Sequence, residues 1–325
     1  MDIFLLPAFF GGLAFFLFGM NIMSESLRNL GGGRLEKELA RITAAPLSAL
    51  AFGTVVTAAA QSSSAVTVML TGLADAGIIE LENAAGVIAG ANIGTTVTAW
   101  LTSTAGIESD NIFLNALKPE NLAPLAAIAG IFPVMISKNT KWQNTGNALL
   151  GFAALMYGME LMKSCAAPLA DLRQFKSLLT AFDNPMISVL AGALFTALVQ
   201  SSSASAGILQ SLSLSSPLSL KIAVPIIIGQ NIGTCFTAFL ATIGATRNAK
   251  RVALFHFFFN AAGGAVFLVL FYIADSLFAF SSRNASAVMI AVIHTLFNVV
   301  TALVFVPFFL KSRKYAQKQR ANFVQ

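Results

Sequence analysis

The chain has 325 residues, 56% of them hydrophobic and 10% charged, with a formal net charge of +6 and a mean hydropathy of +0.77. Soluble domains carry roughly 25% charged residues, so this composition is that of an all-α integral membrane protein. Two cysteines (Cys165, Cys235) and two histidines (His256, His294) leave no cluster for a zinc site or a disulfide framework, and the basic residues sit in short loops, a pattern of topology control that excludes a nucleic-acid footprint.

Met1-Asp2-Ile3-Phe4 lacks the basic region of a cleaved signal peptide, so the first apolar run is expected to stay as a span. Runs of about 20 apolar residues predict seven crossings, at 4–23, 83–104, 122–137, 144–162, 221–242, 252–274 and 287–310. The third is short and holds Pro124 and Pro133. Two other segments do not fit. Between Arg41 and Asp75 lie 33 residues without a charge, and between Asp183 and Lys221 lie 37. Each is too long for one span and awkward for two. Each is also interrupted by a polar tetrapeptide, Gln61-Ser62-Ser63-Ser64 or Gln200-Ser201-Ser202-Ser203. An arm reaching the bilayer midplane needs only about 10 residues at about 1.5 Å rise, so each segment reads as a re-entrant hairpin with Gln-Ser-Ser-Ser at its tip. Backbone breaks at membrane depth only where protein or a water-filled cavity satisfies it, which makes the tips site candidates. The last stretch, 311–325, is a basic tail suited to anionic lipid.

A hairpin returns to its own side, so only the seven crossings alternate. The alternation puts 14 basic residues on one side and 6 on the other. The positive-inside rule then predicts an outside N-terminus and a cytoplasmic C-terminus.

The two tips are 139 residues apart. The same offset relates Gly12 to Gly151, Gly19 to Gly158, Met20 to Met159, Pro46 to Pro185, Gly53 to Gly192, Thr57 to Thr196, and Asn92-Ile93-Gly94-Thr95 to Asn231-Ile232-Gly233-Thr234. An ungapped register this long is an internal duplication. Three predicted crossings separate equivalent points, an odd number, so the halves are expected to be inverted. That is the architecture of secondary transporters. One transmembrane domain over 1–310 is predicted, with repeat 1 at about 9–138, repeat 2 at about 144–276 and an extra helix at 287–310.

The repeated motifs offer hydroxyls, amide oxygens and backbone. No Asp, Glu, Lys or Arg occurs in 42–74, 83–107, 184–220 or 222–246. The buried carboxylates that mark proton-coupled or metal transport are missing. What remains suits a small hard cation and an anion held by serine hydroxyls and helix N-terminal N–H groups. Isolated serines and threonines in membrane helices often supply packing polarity alone; an identical tetrapeptide at both tips argues for a ligand. The Gly86, Gly90, Gly94 stripe, echoed by Pro225, Gly229 and Gly233, reads as close helix packing. His256–Asn260 and His294–Asn298 each share a helix face, and without a neighbouring carboxylate the histidines read as structural hydrogen-bonders.

The paired Gln-Ser-Ser-Ser and Asn-Ile-Gly-Thr motifs resemble the type II sodium–phosphate cotransporter family, bacterial branch. Leu17-Phe18-Gly19-Met20, His256-Phe257-Phe258-Phe259-Asn260 and His294-Thr295-Leu296-Phe297-Asn298 add to the match, which runs from about Phe9 to Leu310. The resemblance implies sodium-driven symport of inorganic phosphate, with no cofactor beyond the coupling sodium ions, in the bacterial cytoplasmic (inner) membrane. It places phosphate at Ser62, Ser63, Ser64, Ser201, Ser202 and Ser203. It places sodium at Gln61, Asn92, Thr95, Thr96, Gln200, Asn231 and Thr234. Cys235 stands where the family commonly has another hydroxyl. The aspartate that marks electrogenic animal members has no counterpart in Ser103-Thr104-Ala105-Gly106-Ile107, and the helical cytoplasmic domain of many bacterial members does not follow before Gln325. Analogy with other inverted-repeat carriers admits a homodimer. The competing readings are a sodium-coupled carrier of another anion (sulfate or a carboxylate), a serine hydrolase, for which no base lies on either hairpin, and a scaffold that has lost transport.

Overall fold

The computed structural model describes residues 5–31, 45–104, 119–170 and 182–323. Eleven helices occupy them: α1 (Leu5–Gly31), α2 (Pro46–Ala60), α3 (Ser63–Asp75), α4 (Leu81–Ser103), α5 (Pro119–Ile136), α6 (Thr140–Ala170), α7 (Pro185–Val199), α8 (Ser202–Ser215), α9 (Leu220–Ala241), α10 (Arg247–Phe278) and α11 (Ala287–Phe323). Among the described residues the β pairing is limited to one isolated bridge, Ser219–Asn284. The all-helical expectation therefore holds.

Among the described residues four helical stretches are long and apolar enough to cross a membrane: Leu81–Ser103, Leu220–Ala241, Arg247–Phe278 and Ala287–Phe305. The first two are 78% and 72% buried against 28% for the third, which puts α4 and α9 at the centre of the molecule. Helices stand at all seven predicted crossings. Within α1 and α5 the described apolar stretches are Pro7–Gly19 and Ala123–Ile136. α5 holds Pro124 and Pro133. The last helix runs on to Phe323, through most of the stretch expected as a tail.

The offset of 139 seen in sequence reappears in the elements: α2, α3 and α4 begin at Pro46, Ser63 and Leu81, and α7, α8 and α9 at Pro185, Ser202 and Leu220. Pro46 and Pro185 sit in the first helical turn, where a missing N–H costs nothing. In each half a short apolar helix lies along a central one, α2 on α4 and α7 on α9. The glycine stripe makes that possible. A Cβ on Gly86, Gly90 or Gly94 would enter Ala49, Leu50 or Thr54 of α2, and one on Gly229 or Gly233 would enter Val189 or Ala193 of α7. The close-packing reading of the stripe is thus correct. Likewise α1 packs on α6 through a reciprocal glycine contact, Gly12 against Gly158 and Gly19 against Gly151.

Three apolar clusters tie these pairs together. One joins α3, α4 and α10, one joins α9, α10 and α11, and one joins α1, α5 and α6.

Candidate functional site

The local fold of each Gln-Ser-Ser-Ser follows from its residue types. Gln61 ends α2 in the left-handed region (φ 54, ψ 24), and Gln200 ends α7 the same way (φ 58, ψ 21). Among the described residues only Ala279 shares this conformation without being glycine. Holding a side chain there costs on the order of 1–3 kcal/mol, and such positions concentrate at functional sites. Ser62 and Ser201 follow in extended backbone and cap the next helix, their hydroxyl oxygens accepting from Ala65 N–H at 3.1 Å and Ala204 N–H at 3.2 Å. The helix breaks at the glutamine and a new one starts at the serines, so the positive ends of α3 and α8 lie at the tetrapeptides.

The central helices supply the surroundings. Thr98 of α4 donates to Gln61 Oε1 at 2.8 Å, while Gln61 Nε2 donates to Ala58 O at 3.0 Å. Across the halves, Thr237 of α9 donates to Ser64 Oγ at 3.4 Å. Thr95, Thr96 and Thr234 turn their hydroxyls to carbonyls of their own helix, Ala91, Ile93 and Gln230, which leaves lone pairs for another ligand. Ser63, Ser202 and Ser203 are buried, and Ser62, Ser64 and Ser201 half-buried. The glutamines differ: Gln61 is buried, whereas Gln200 is exposed.

The two motif asparagines are both 4% exposed and have different partners. Asn92 Nδ2 donates to Asn260 Oδ1 of α10 at 2.9 Å. Asn231 Nδ2 donates to Ile227 O of its own helix at 2.9 Å, and its Oδ1 lies 3.4 Å from His294 Nε2 of α11. Cys235 is fully buried; its sulfur lies 3.5 Å from His256 O and 3.6 Å from Asn231 O, and accepts from Asn260 Nδ2 at 3.4 Å. The expectation that the histidines hydrogen-bond holds for His294. It fails for His256, whose ring nitrogens are buried without a partner among the described residues.

Several residues here are new relative to the sequence reading. Thr98 and Thr237 are themselves 139 apart, each three residues beyond a motif threonine, so the repeat register carried that signal. Asn260 is legible in the sequence as a helix-face neighbour of His256 and as the end of the His256-Phe257-Phe258-Phe259-Asn260 match. Gln210 of α8 was not singled out at all; it donates to Ala99 O at 2.8 Å and Ala287 O at 3.0 Å and accepts from Thr102, fastening α8 to α4 and α11.

The Na+/Pi-cotransporter family model matches residues 15–164 and 167–303. The chain belongs to the Na+/Pi-cotransporter family. Each matched segment contains one Gln-Ser-Ser-Ser and one Asn-Ile-Gly-Thr. Among relatives, the chain is 32% identical over 304 residues to the uncharacterized protein YqeW of Bacillus subtilis, covering 93% of this chain and 94% of that one. It is 24% identical over 298 residues to the Escherichia coli putative inorganic phosphate export protein YjbB, covering 91% of this chain and 52% of that one. A shorter stretch of 93 residues is 41% identical to the human sodium-dependent phosphate transport protein 2B, covering 27% of this chain and 14% of the human one. The chain thus spans nearly all of YqeW and about half of YjbB. No solved structure matches it. As a family member with several apolar helices, it is a membrane protein of a transporter family.

Proposed function

We propose that this chain is a sodium-coupled symporter of inorganic phosphate that works by alternating access, with phosphate held at the tips of two re-entrant hairpins. The observation that carries the reading is the pair of uncharged tips in one register, each a left-handed glutamine followed by a serine-capped helix start. Family membership supplies the cargo: the relatives' names speak of phosphate export and of sodium-dependent phosphate transport.

The inverted-repeat reading has support in packing. The contacts Gly12–Gly158 and Gly19–Gly151 change places when each residue is replaced by its partner 139 away. That is the signature of a two-fold relation between α1 and α6, whose contacts run antiparallel, as inversion across a membrane requires. On this reading all seven predicted crossings span, with the N-terminus outside and the C-terminus cytoplasmic in the bacterial inner membrane.

Charge decides the coupling. Phosphate near neutral pH carries one to two negative charges, and neither the tips nor the motif-bearing stretches 83–107 and 222–246 supply an arginine or lysine to meet it. Desolvating the anion is then feasible only with cations in company. Two sodium ions neutralise the dianion, and a third makes transport electrogenic, worth about 2.3 kcal/mol per 100 mV. Ser62, Ser63, Ser64, Ser201, Ser202 and Ser203 hold phosphate in this scheme; Gln61, Asn92, Thr95, Thr96, Gln200, Asn231 and Thr234 are the pool of sodium ligands.

The test is uptake of radiolabelled phosphate into proteoliposomes under an inward sodium gradient, against an equal potassium gradient. Uptake that requires sodium and is lost in both Ser63→Ala and Ser202→Ala supports the reading. Uptake indifferent to sodium sinks it, and inhibition by sulfate stronger than by unlabelled phosphate reassigns the cargo.

A further inference from the structure

The two Asn-Ile-Gly-Thr motifs are alike in sequence, yet the fold presents their asparagines differently. A primary amide has a donor end and an acceptor end of nearly the same shape. Which end points where is set by a partner that cannot exchange roles. The His256 carbonyl is such a partner, since it can only accept. Asn260 Nδ2 donates to it at 3.0 Å and reaches the Cys235 sulfur as well. The Oδ1 of Asn260 is therefore the end that meets Asn92, which must answer with its own Nδ2, at 2.9 Å. That leaves Asn92 Oδ1 as the free end. It is a strong acceptor turned away from Asn260 on a side chain only 4% exposed.

In the second half the logic runs the other way. Asn231 Nδ2 is committed to the Ile227 carbonyl of its own helix, and its Oδ1 faces His294 Nε2. The oxygen that Asn92 leaves free is thus occupied in Asn231. The register partner of Asn260 cannot restore equality, because it is Asn121, exposed at the start of α5, and α5 packs against α6.

We infer that Asn260 is a positioning residue that turns the Asn92 amide so that its oxygen is offered to a coupling cation, while His294 takes the equivalent oxygen of Asn231 out of use. The two halves of the repeat then contribute unequally to cation binding, and Asn231 acts as a structural residue. This inference rests on the sodium-coupled reading and narrows its pool of ligands.

The experiment measures two quantities on purified protein: the sodium concentration for half-maximal phosphate uptake in proteoliposomes, and the rise in melting temperature that sodium alone produces. In Asn260→Leu the Asn92 amide is free to turn. The half-maximal sodium concentration should rise on the order of tenfold and the sodium-induced thermal shift should vanish, while the KM for phosphate at saturating sodium stays within about twofold. Asn260→Ser, a smaller change with the same loss of the amide acceptor, carries the same expectation if the leucine variant does not fold. Adding Asn92→Asp to Asn260→Leu should restore sodium activation, because a carboxylate offers an oxygen whichever way it turns. His294→Leu should leave sodium activation within about twofold of the parent. Unchanged sodium activation in both Asn260 variants overturns the inference, as does a double variant no better than Asn260→Leu or a phosphate KM that rises in step with the sodium requirement. Failure of the underlying reading looks different: the parent protein would then take up phosphate without regard to sodium.

Discussion

Gln210 offers the sharpest test of the packing. Its side chain is fully buried and makes three inter-helix hydrogen bonds, donating to Ala99 O and Ala287 O and accepting from Thr102. Gln210→Leu keeps much of the volume and removes all three. Interhelical hydrogen bonds in membrane proteins average about 0.6 kcal/mol, and intramolecular bonds in water-soluble proteins about 1, so the loss should be about 2–3 kcal/mol. For large single domains each kcal/mol moves the melting temperature by about 2–4 °C, which predicts a drop of about 4–12 °C. The protein contains its own probe. Cys165 and Cys235 are free and buried, so a thiol-reactive dye reports the moment the core opens. Thr102→Val supplies the cycle: Thr102 can turn its hydroxyl to Thr98 O instead, at 2.9 Å, so the coupling with Gln210 should be modest, about 0.5–1 kcal/mol. A drop under 1 °C in Gln210→Leu, or a coupling of zero, would refute the view that α8, α4 and α11 are fastened here.

Other outcomes follow from single contacts. Gly90→Ala drives a methyl into the Leu50 backbone and should cost at least about 2 kcal/mol, whereas Gly72→Ala, facing open space in α3, should gain about 0.5–1 kcal/mol; both are read by the same melting assay. The Thr246 backbone N–H, donating to Asp75 Oδ1 at 2.7 Å, holds the Asp75 carboxyl below its ordinary value of 3.8. A lowered folded value stabilises the protein above pH 3.8 and loses that effect as pH falls through it. The melting temperatures of Asp75→Ala and its parent should therefore differ at pH 7 and converge in acid; a gap that widens in acid contradicts the contact. Cys235→Ser should keep the fold, since a hydroxyl can donate to the same His256 and Asn231 carbonyls. In the folded parent Cys235 should resist maleimide, and rapid labelling would show that α9 is not packed as described.

Much of this was legible in the residues. Composition fixed the solvent, and uncharged runs too long for one span located the helix breaks at Gln61 and Gln200. The register of 139 foretold that α2, α3 and α4 would have twins in α7, α8 and α9. It relates Thr98 to Thr237 as well. Local chemistry explains why these features were readable: a left-handed glutamine, an N-capping serine and a glycine stripe each act within a few residues of chain.

What the register could not tell is where the twins part. Gln61 is buried and Gln200 exposed. Asn92 meets Asn260, 168 residues away, while Asn231 meets His294, 63 residues away. A duplicated sequence gives each asparagine the same neighbours along the chain, and nothing in it says which helix will lie across from each one. That was decided by α10 and α11, which pack against both α4 and α9. The sequence by itself determined a repeated helical membrane protein with two paired polar helix breaks. Only tertiary packing determined which end of each amide is left over, because an amide's orientation is set by the partner opposite it in space.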